Sequence, residues 1–186
     1  RTYRVDAIFD RTAALIPGIR IISVSWIFDV GATLPDWVLT LELLTAIAVQ
    51  QMGITVIVAA GNGAGETTPA RLPWVISVGG TAVIDPILTM MTWQDSASFT
   101  SVEFPMRYVP DVCGVASQID LPVVPSPQMA CKNGGTSCAT PQVAGVAALL
   151  LQKNWRLTPF EVKALLMLGA RDITSGKSAT GASAQP

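Results

Sequence analysis

"DWVLTLELLTAIAVQQMGITVIVAAGNGAG", residues Asp36–Gly65, holds the change of pattern that decides the fold. Its first part reads as a helix from about Asp36 that Gly53 ends. Its second part, "ITVIVAA" (Ile54–Ala60), is a short β-branched run closed by the glycine turn "GNGAG", as expected of a parallel strand buried on both faces. Upstream, "IRIISVSW" (Ile19–Trp26) is a run of the same kind, and downstream "WVISVGG" (Trp74–Gly80) is a third. A helix between parallel strands is the βαβ arrangement. The expected fold is therefore α/β, three-layered, with a mostly parallel sheet and helices on both faces.

Other segments fit this frame. "VDAIFDRTAALIPG" places Val5, Ile8, Phe9 and Ala13 at helical spacing before Pro17-Gly18. Residues Thr81–Gly135 are rich in Pro, Ser and Gly, yet apolar residues keep recurring, so they read as loops and short strands. A long helix is expected from about Ser137 to Lys153. A second begins at Thr158-Pro159-Phe160-Glu161, which has capping-box spacing with proline at the first helical position, and ends at Gly169. Residues 1–171 form one domain in this reading, and the small, polar residues 172–186 form a poorly ordered tail.

Composition narrows the function classes. The chain has 186 residues, of which 50% are hydrophobic and only 13% charged, with a net charge of −1. So low a charged fraction suits a broad buried sheet, or a part of a larger body whose remainder covers apolar surface. No basic cluster points to nucleic acid, and apolar stretches such as "VAGVAALLL" fall short of the roughly 18 residues that span a bilayer. The three cysteines, Cys113, Cys131 and Cys138, lack metal-site spacing, and three buried thiols is a simpler reading than one bridge and a leftover. No metal ligand is assigned.

The chemistry concentrates in "GGTSCATPQVAG", Gly134–Gly145. Gly134 and Gly135 allow backbone to approach a substrate closely. A serine at a helix start sits beside unpaired N–H groups at the positive end of the helix dipole, where an oxyanion can be held. Pro141 is placed near the first turn, where a missing N–H does least harm. The competing reading makes Thr136-Ser137 a plain helix cap. Likewise Asn62, in the turn after a buried strand, can donate to an oxyanion or can simply tolerate a left-handed turn. Asp6 and Asp10, spaced i, i+4, read as a solvated edge, and Glu42 sits mid-helix with no partner suggested by spacing.

Together these stretches resemble the subtilisin-like serine peptidases, the subtilases. "GGTSCATPQVAGVAALL" is similar to their serine motif, "AAGN" to their oxyanion-asparagine motif, and "IISVSW" to the strand that lines their substrate cleft; "RLPWVISVGGT", "SASFTS" and "VPDVCGVA" follow in the family's order. The resemblance covers about Val5 to Ala170. It implies that Ser137 is the nucleophile, that Asn62 and the Ser137 N–H form the oxyanion hole, and that Ser25, Trp26, Ile27, Ala60, Gly61 and Thr136 bind substrate. It also implies a polypeptide substrate, a secreted or extracytoplasmic setting, and no cofactor for the chemistry, with structural calcium compatible. Cys138 stands where Met is common, Gln142 where a non-catalytic His often sits, and Trp26-Ile27 where Leu-Gly is frequent, which changes the shape expected of the pocket.

Some stretches resemble the sister family, the sedolisins: "VGGT", "FTSVEFP", "VPDV" and "RDITSG". Sedolisins use Glu and Asp in place of His and an Asp at the oxyanion position, so Asn62 favours the subtilases. "DITSG" (Asp172–Gly176) is similar to a sedolisin calcium loop of which the rest is missing.

A subtilase serine needs a base, and the chain contains no histidine. In subtilases the order is Asp, His, Ser, and both Asp and His precede the oxyanion Asn by more than the 61 residues before Asn62. The chain thus reads as the C-terminal half of a catalytic domain, with a companion N-terminal fragment carrying His and Asp. The alternatives are a base elsewhere, sedolisin-style, or an inactive peptide-binding or scaffolding domain.

Overall fold

In this computed structural model, residues 18–31, 34–63, 65–85, 90–93, 96–117, 119–122 and 130–171 are described. The helix expected from Val5, the Asp6/Asp10 pair, the Asp172–Gly176 stretch and the tail lie outside them. The main sheet joins β1 (Ile21–Val24), β3 (Thr55–Ala59), β5 (Ile76–Asp85), β6 (Met90–Trp93) and β9 (Val112–Val115). β1, β3, β5 and β9 are parallel, and β6 runs antiparallel to β5. Three two-stranded pairs surround it: β2 (Phe28–Asp29) with β4 (Thr67–Thr68), β7 (Phe99–Thr100) with β8 (Tyr108–Val109), and β10 (Ile119–Pro122) with β11 (Ala130–Asn133).

Alternation along β3 shows why helices cover both faces. Val56 and Val58 point into one core with Leu41, Ala48 and Val49 of α1 (Asp36–Gln50). Ile57 points the other way, into a core with Ala139, Val143, Ala147 and Leu151 of α2 (Thr136–Lys153) and Val162 of α3 (Pro159–Gly169). A period of two on the strand thus feeds two helical stripes. β3 is buried at all five residues, as its sequence predicts. β1 is not: only Val24 is buried, because among the described residues β1 pairs on one side alone, with β3.

The helix ends follow local chemistry. α1 stops before Gly53, whose φ of 66° is left-handed. The capping box of α3 is complete: Glu161 N–H donates to Thr158 Oγ1 at 3.3 Å, and Thr158 N–H donates to Glu161 Oε2 at 2.7 Å. The Thr158 N–H bond, and after it a bond from Thr158 Oγ1–H to Oε2 at 2.8 Å, hold the Glu161 carboxyl below its ordinary range. The side chain of Arg20 donates to the carbonyls of Trp155 and Leu157 at 2.7 and 2.8 Å, tying the start of β1 to the α2–α3 turn.

Buried charge holds the periphery together. Glu42, expected to be alone, accepts from Arg71 Nε at 2.9 Å and Nη2 at 3.1 Å, and also from Thr68 Oγ1. Arg71 further pairs with Glu103 at 2.8 Å and faces Glu66 at 3.9 Å. Arg107 and Lys163 converge on Asp111, which also accepts from Ser77. Burial lowers the Lys163 pKa, while Asp111 acts to raise it.

Candidate active site

β1 and β3 end side by side, with Val24 opposite Val58, and the chain beyond both ends turns toward the start of α2. Ligands of open α/β sheets bind at such carboxyl ends. Ser137 lies here, exposed, in the first turn of α2. Its Oγ–H donates to the Ser25 carbonyl at 2.9 Å, and Ser25 Oγ–H donates to the Ser137 carbonyl, also at 2.9 Å.

Pro141 explains the second bond. It sits inside α2, in the second turn of a helix that begins at Thr136, rather than near the first turn as the sequence suggested. A helical residue at 141 would normally donate to the carbonyl of residue 137, and proline has no N–H. The freed Ser137 carbonyl is therefore satisfied by Ser25 from another segment.

Thr136 is the first helical residue rather than a cap. Its N–H donates to Asn62 Oδ1 at 2.8 Å and its Oγ1–H donates to the same oxygen at 2.9 Å. Thr136 Oγ1 in turn accepts from Gly61 N–H at 3.2 Å. Asn62 is thus more than a turn residue, since its carbonyl end caps α2 from outside. Gly135, at φ 93°, must lack a side chain: a Cβ there would stand 2.9 Å from Asn62 Nδ2 and 3.0 Å from Oδ1.

Because Oδ1 is committed to Thr136, the amide orientation of Asn62 is set and Nδ2 is left over. Among the described residues neither Nδ2 nor the Ser137 N–H has an acceptor. Two open N–H donors and an exposed hydroxyl therefore belong to residues at the positive end of an 18-residue helix or hydrogen-bonded to its first residue. The carbonyl that accepts the hydroxyl's hydrogen bond is no base for its proton.

The residues named as substrate-binding gather at this spot. Ser25 touches Ser137, while Trp26 and Ile27 belong to neither the β1 nor the β2 ladder. The Trp26 ring turns into an aromatic group, 5.3 Å from Phe28, which meets Trp37 edge-on at 4.7 Å. Ala60 and Gly61 are buried, with their backbone groups engaged by Val78, Thr67, Thr136 and Ala97. Gln142 donates to the carbonyls of Val115 and Cys138, both at 2.8 Å, anchoring α2 to β9. Cys113 and Cys138 are free and half-buried. Among the described residues no group of three or more His, Cys, Asp or Glu is placed to hold a metal ion.

The profile of the subtilase family (peptidase S8) matches residues 9–183. The chain belongs to the subtilase family. Alkaline serine exoprotease A of Vibrio alginolyticus is 32% identical over 126 residues, spanning 63% of this chain and 20% of that protein. Serine protease AprX of Bacillus subtilis (strain 168) is 36% identical over 138 residues, spanning 63% of this chain and 30% of its own. The crystal structure of a cold-adapted subtilisin-like serine proteinase superposes with a TM-score of 0.67 at 29% identity, covering 88% of this chain and 53% of the other. The chain thus spans less than a third of each curated relative and about half of the solved one. Within that span it has the mostly parallel, two-faced α/β sheet of a subtilase.

The Ser25–Pro141 relation, the Asn62 cap and the Glu42–Arg71 pair escaped sequence reasoning. Pro141 carried a usable signal, since proline five residues past a helix start always frees one carbonyl.

Proposed function

We propose that the protein is a subtilisin-type serine endopeptidase that hydrolyses peptide bonds through an acyl-enzyme on Ser137. Ser137 Oγ attacks the scissile carbonyl as its proton passes to a base, and the oxyanion receives hydrogen bonds from Asn62 Nδ2 and the Ser137 N–H. Collapse of this adduct breaks the C–N bond as the base returns the proton to the departing amine, leaving the acyl group on Ser137 as an ester. The ester then yields to water, which the same base activates. The observation that carries this reading is the pairing of an exposed serine hydroxyl with two open donors, one of them fixed by the Asn62–Thr136 bonds.

The base and its orienting carboxylate come, in this reading, from polypeptide outside these 186 residues, as a companion N-terminal fragment carrying His and Asp. The absence of histidine supports this, as does the share of the solved relative that the chain spans. A polypeptide substrate, an extracytoplasmic setting and chemistry without a cofactor follow from the same reading. One observation favours a second: the Ser137 proton rests on the Ser25 carbonyl, as it would in a subtilase-fold domain that binds peptides without cleaving them.

The test uses the complete protein. Incubation with an activated peptide ester, quenching in acid and peptide mapping should find the acyl group on Ser137, and Ser137→Ala should abolish both adduct and turnover. Saturable peptide binding with neither adduct nor turnover would establish the second reading instead.

A further inference from the structure

Gly61, next to Asn62, is crowded by this chain's own side chains. Beyond the last β1–β3 pair, Val24 with Val58, the two chains run on through Ser25–Ile27 and Ala60–Asn62. A Cβ on Gly61 would stand 3.1 Å from Thr67 Cγ2, 3.5 Å from Ala97 Cβ and 3.8 Å from Ile27 Cγ1. Gly61 has a φ of 108°, and it is buried. Both its backbone groups are held, the N–H by Thr136 Oγ1 at 3.2 Å and the carbonyl by Ala97 N–H at 2.8 Å. Thr67 is pinned as well, because its hydroxyl donates to the Ala60 carbonyl at 2.7 Å and so turns its methyl toward Gly61.

From this we infer that Ile27 and Thr67 close the side-chain slot of the site, so that the residue supplying the scissile carbonyl must carry a small side chain such as Gly, Ala or Ser. The inference rests on Ser137 as the nucleophile. A carbonyl held between Asn62 Nδ2 and the Ser137 N–H places its own residue between the two segments that flank Ser137, Ser25–Ile27 and Ala60–Asn62. Both lead directly to the Ile27–Gly61 contact. The Gly61 wall offers no free backbone group and three apolar carbons, so selection there is by volume. Packed interiors do not yield to an added phenyl ring without displacing these carbons.

The experiment compares, on the complete protein, peptide anilides that differ only in the residue before the scissile bond. With Ala there, kcat/KM should exceed that with Phe by about tenfold or more, as a filled hydrophobic slot discriminates by at least that much per added group. Thr67→Ser removes only the Cγ2 methyl and keeps the bond to Ala60, while Ile27→Ala removes the opposite wall. Each should shrink the Ala:Phe ratio, and the pair together should shrink it about tenfold. Ile27→Val serves if the alanine variant fails to fold. A wild-type preference for Phe or Leu, or a ratio that neither wall variant moves, overturns the inference. Ser137→Ala separates this from failure of the functional reading: hydrolysis that survives it sinks the nucleophile assignment. In that case, or if no anilide is cleaved, calorimetry with peptides whose terminal residue is Ala or Phe reads the same slot. Tighter binding of the Ala peptide upholds it and tighter binding of the Phe peptide overturns it.

Discussion

Asn62 caps the helix that begins at Thr136: one oxygen, Oδ1, accepts both the backbone N–H and the hydroxyl of Thr136, at 2.8 and 2.9 Å. A side chain 74 residues away does for α2 what a local N-cap residue usually does. The same side chain has its amide nitrogen left for a ligand. Under the proposed function stability and chemistry meet in one residue, and they can be separated by mutation.

Asn62→Asp keeps an oxygen for Thr136 and loses the N–H donor. Its melting temperature should stay close to wild type, since a carboxylate suits a helix N-terminus, while kcat falls with KM nearly unchanged. Asn62→Leu loses both ends, so the same fall in kcat should come with about 1 kcal/mol of lost stability. The expected fall is about 100- to 1,000-fold, a figure taken from loss of one such donor in subtilisin itself. Thermal melts and steady-state kinetics on both variants decide it. Unchanged kcat in Asn62→Asp would leave Asn62 as a cap alone.

Among the described residues Arg71 is the single cation paired with Glu42, Glu66 and Glu103, and the three carboxylates differ in exposure at 12%, 11% and 55%. Replacing Arg71 with Met leaves two nearly buried carboxylates without it, and should cost about 3–5 kcal/mol. Glu103→Gln removes only the exposed partner and should change stability by under about 1 kcal/mol. Urea denaturation of the two variants checks the contrast, and equal losses would contradict it.

Those same residues show where sequence reasoning reached and where it stopped. The α3 boundaries were readable from Thr158, Pro159, Glu161 and Gly169 because capping is local chemistry within a few residues. β3 was readable because five consecutive buried residues leave a continuous β-branched run. Ser137 and Asn62 stood out through their motifs, whereas spacing alone left each with a structural explanation. Glu42–Arg71 spans 29 positions and Ser25–Ser137 spans 112, so tertiary packing alone brings these partners together. Pro141 was placed where a missing N–H does least harm, yet whether the helix starts at Thr136 or Ser137 residue 141 faces the carbonyl of residue 137, so the proline costs a backbone bond that a distant serine replaces.

Burial pushes the Cys113 thiol up to about 11 from 9.0, against a smaller lowering by its bond to the Gly79 backbone. Between those values the folded chain keeps a proton that the unfolded chain releases. The stability this contributes is fully present below pH 9.0 and is lost as pH rises through about 11. Denaturation midpoints of wild type should consequently fall more steeply over that window than those of Cys113→Ala. Parallel pH profiles would show that Cys113 does not retain its proton on folding.

The most direct test of the central claim is ester turnover by Arg1–Pro186 alone and together with a companion polypeptide carrying His and Asp. Alone, the chain has the proposed nucleophile and the two proposed oxyanion donors but no histidine, and the Ser137 hydroxyl hydrogen-bonds a carbonyl that is no base. The account predicts no Ser137-dependent hydrolysis of a peptide ester by the chain by itself, and hydrolysis abolished by Ser137→Ala once the companion is bound. Robust turnover by the chain alone, lost in Ser137→Ala, would contradict it and place the base among these 186 residues.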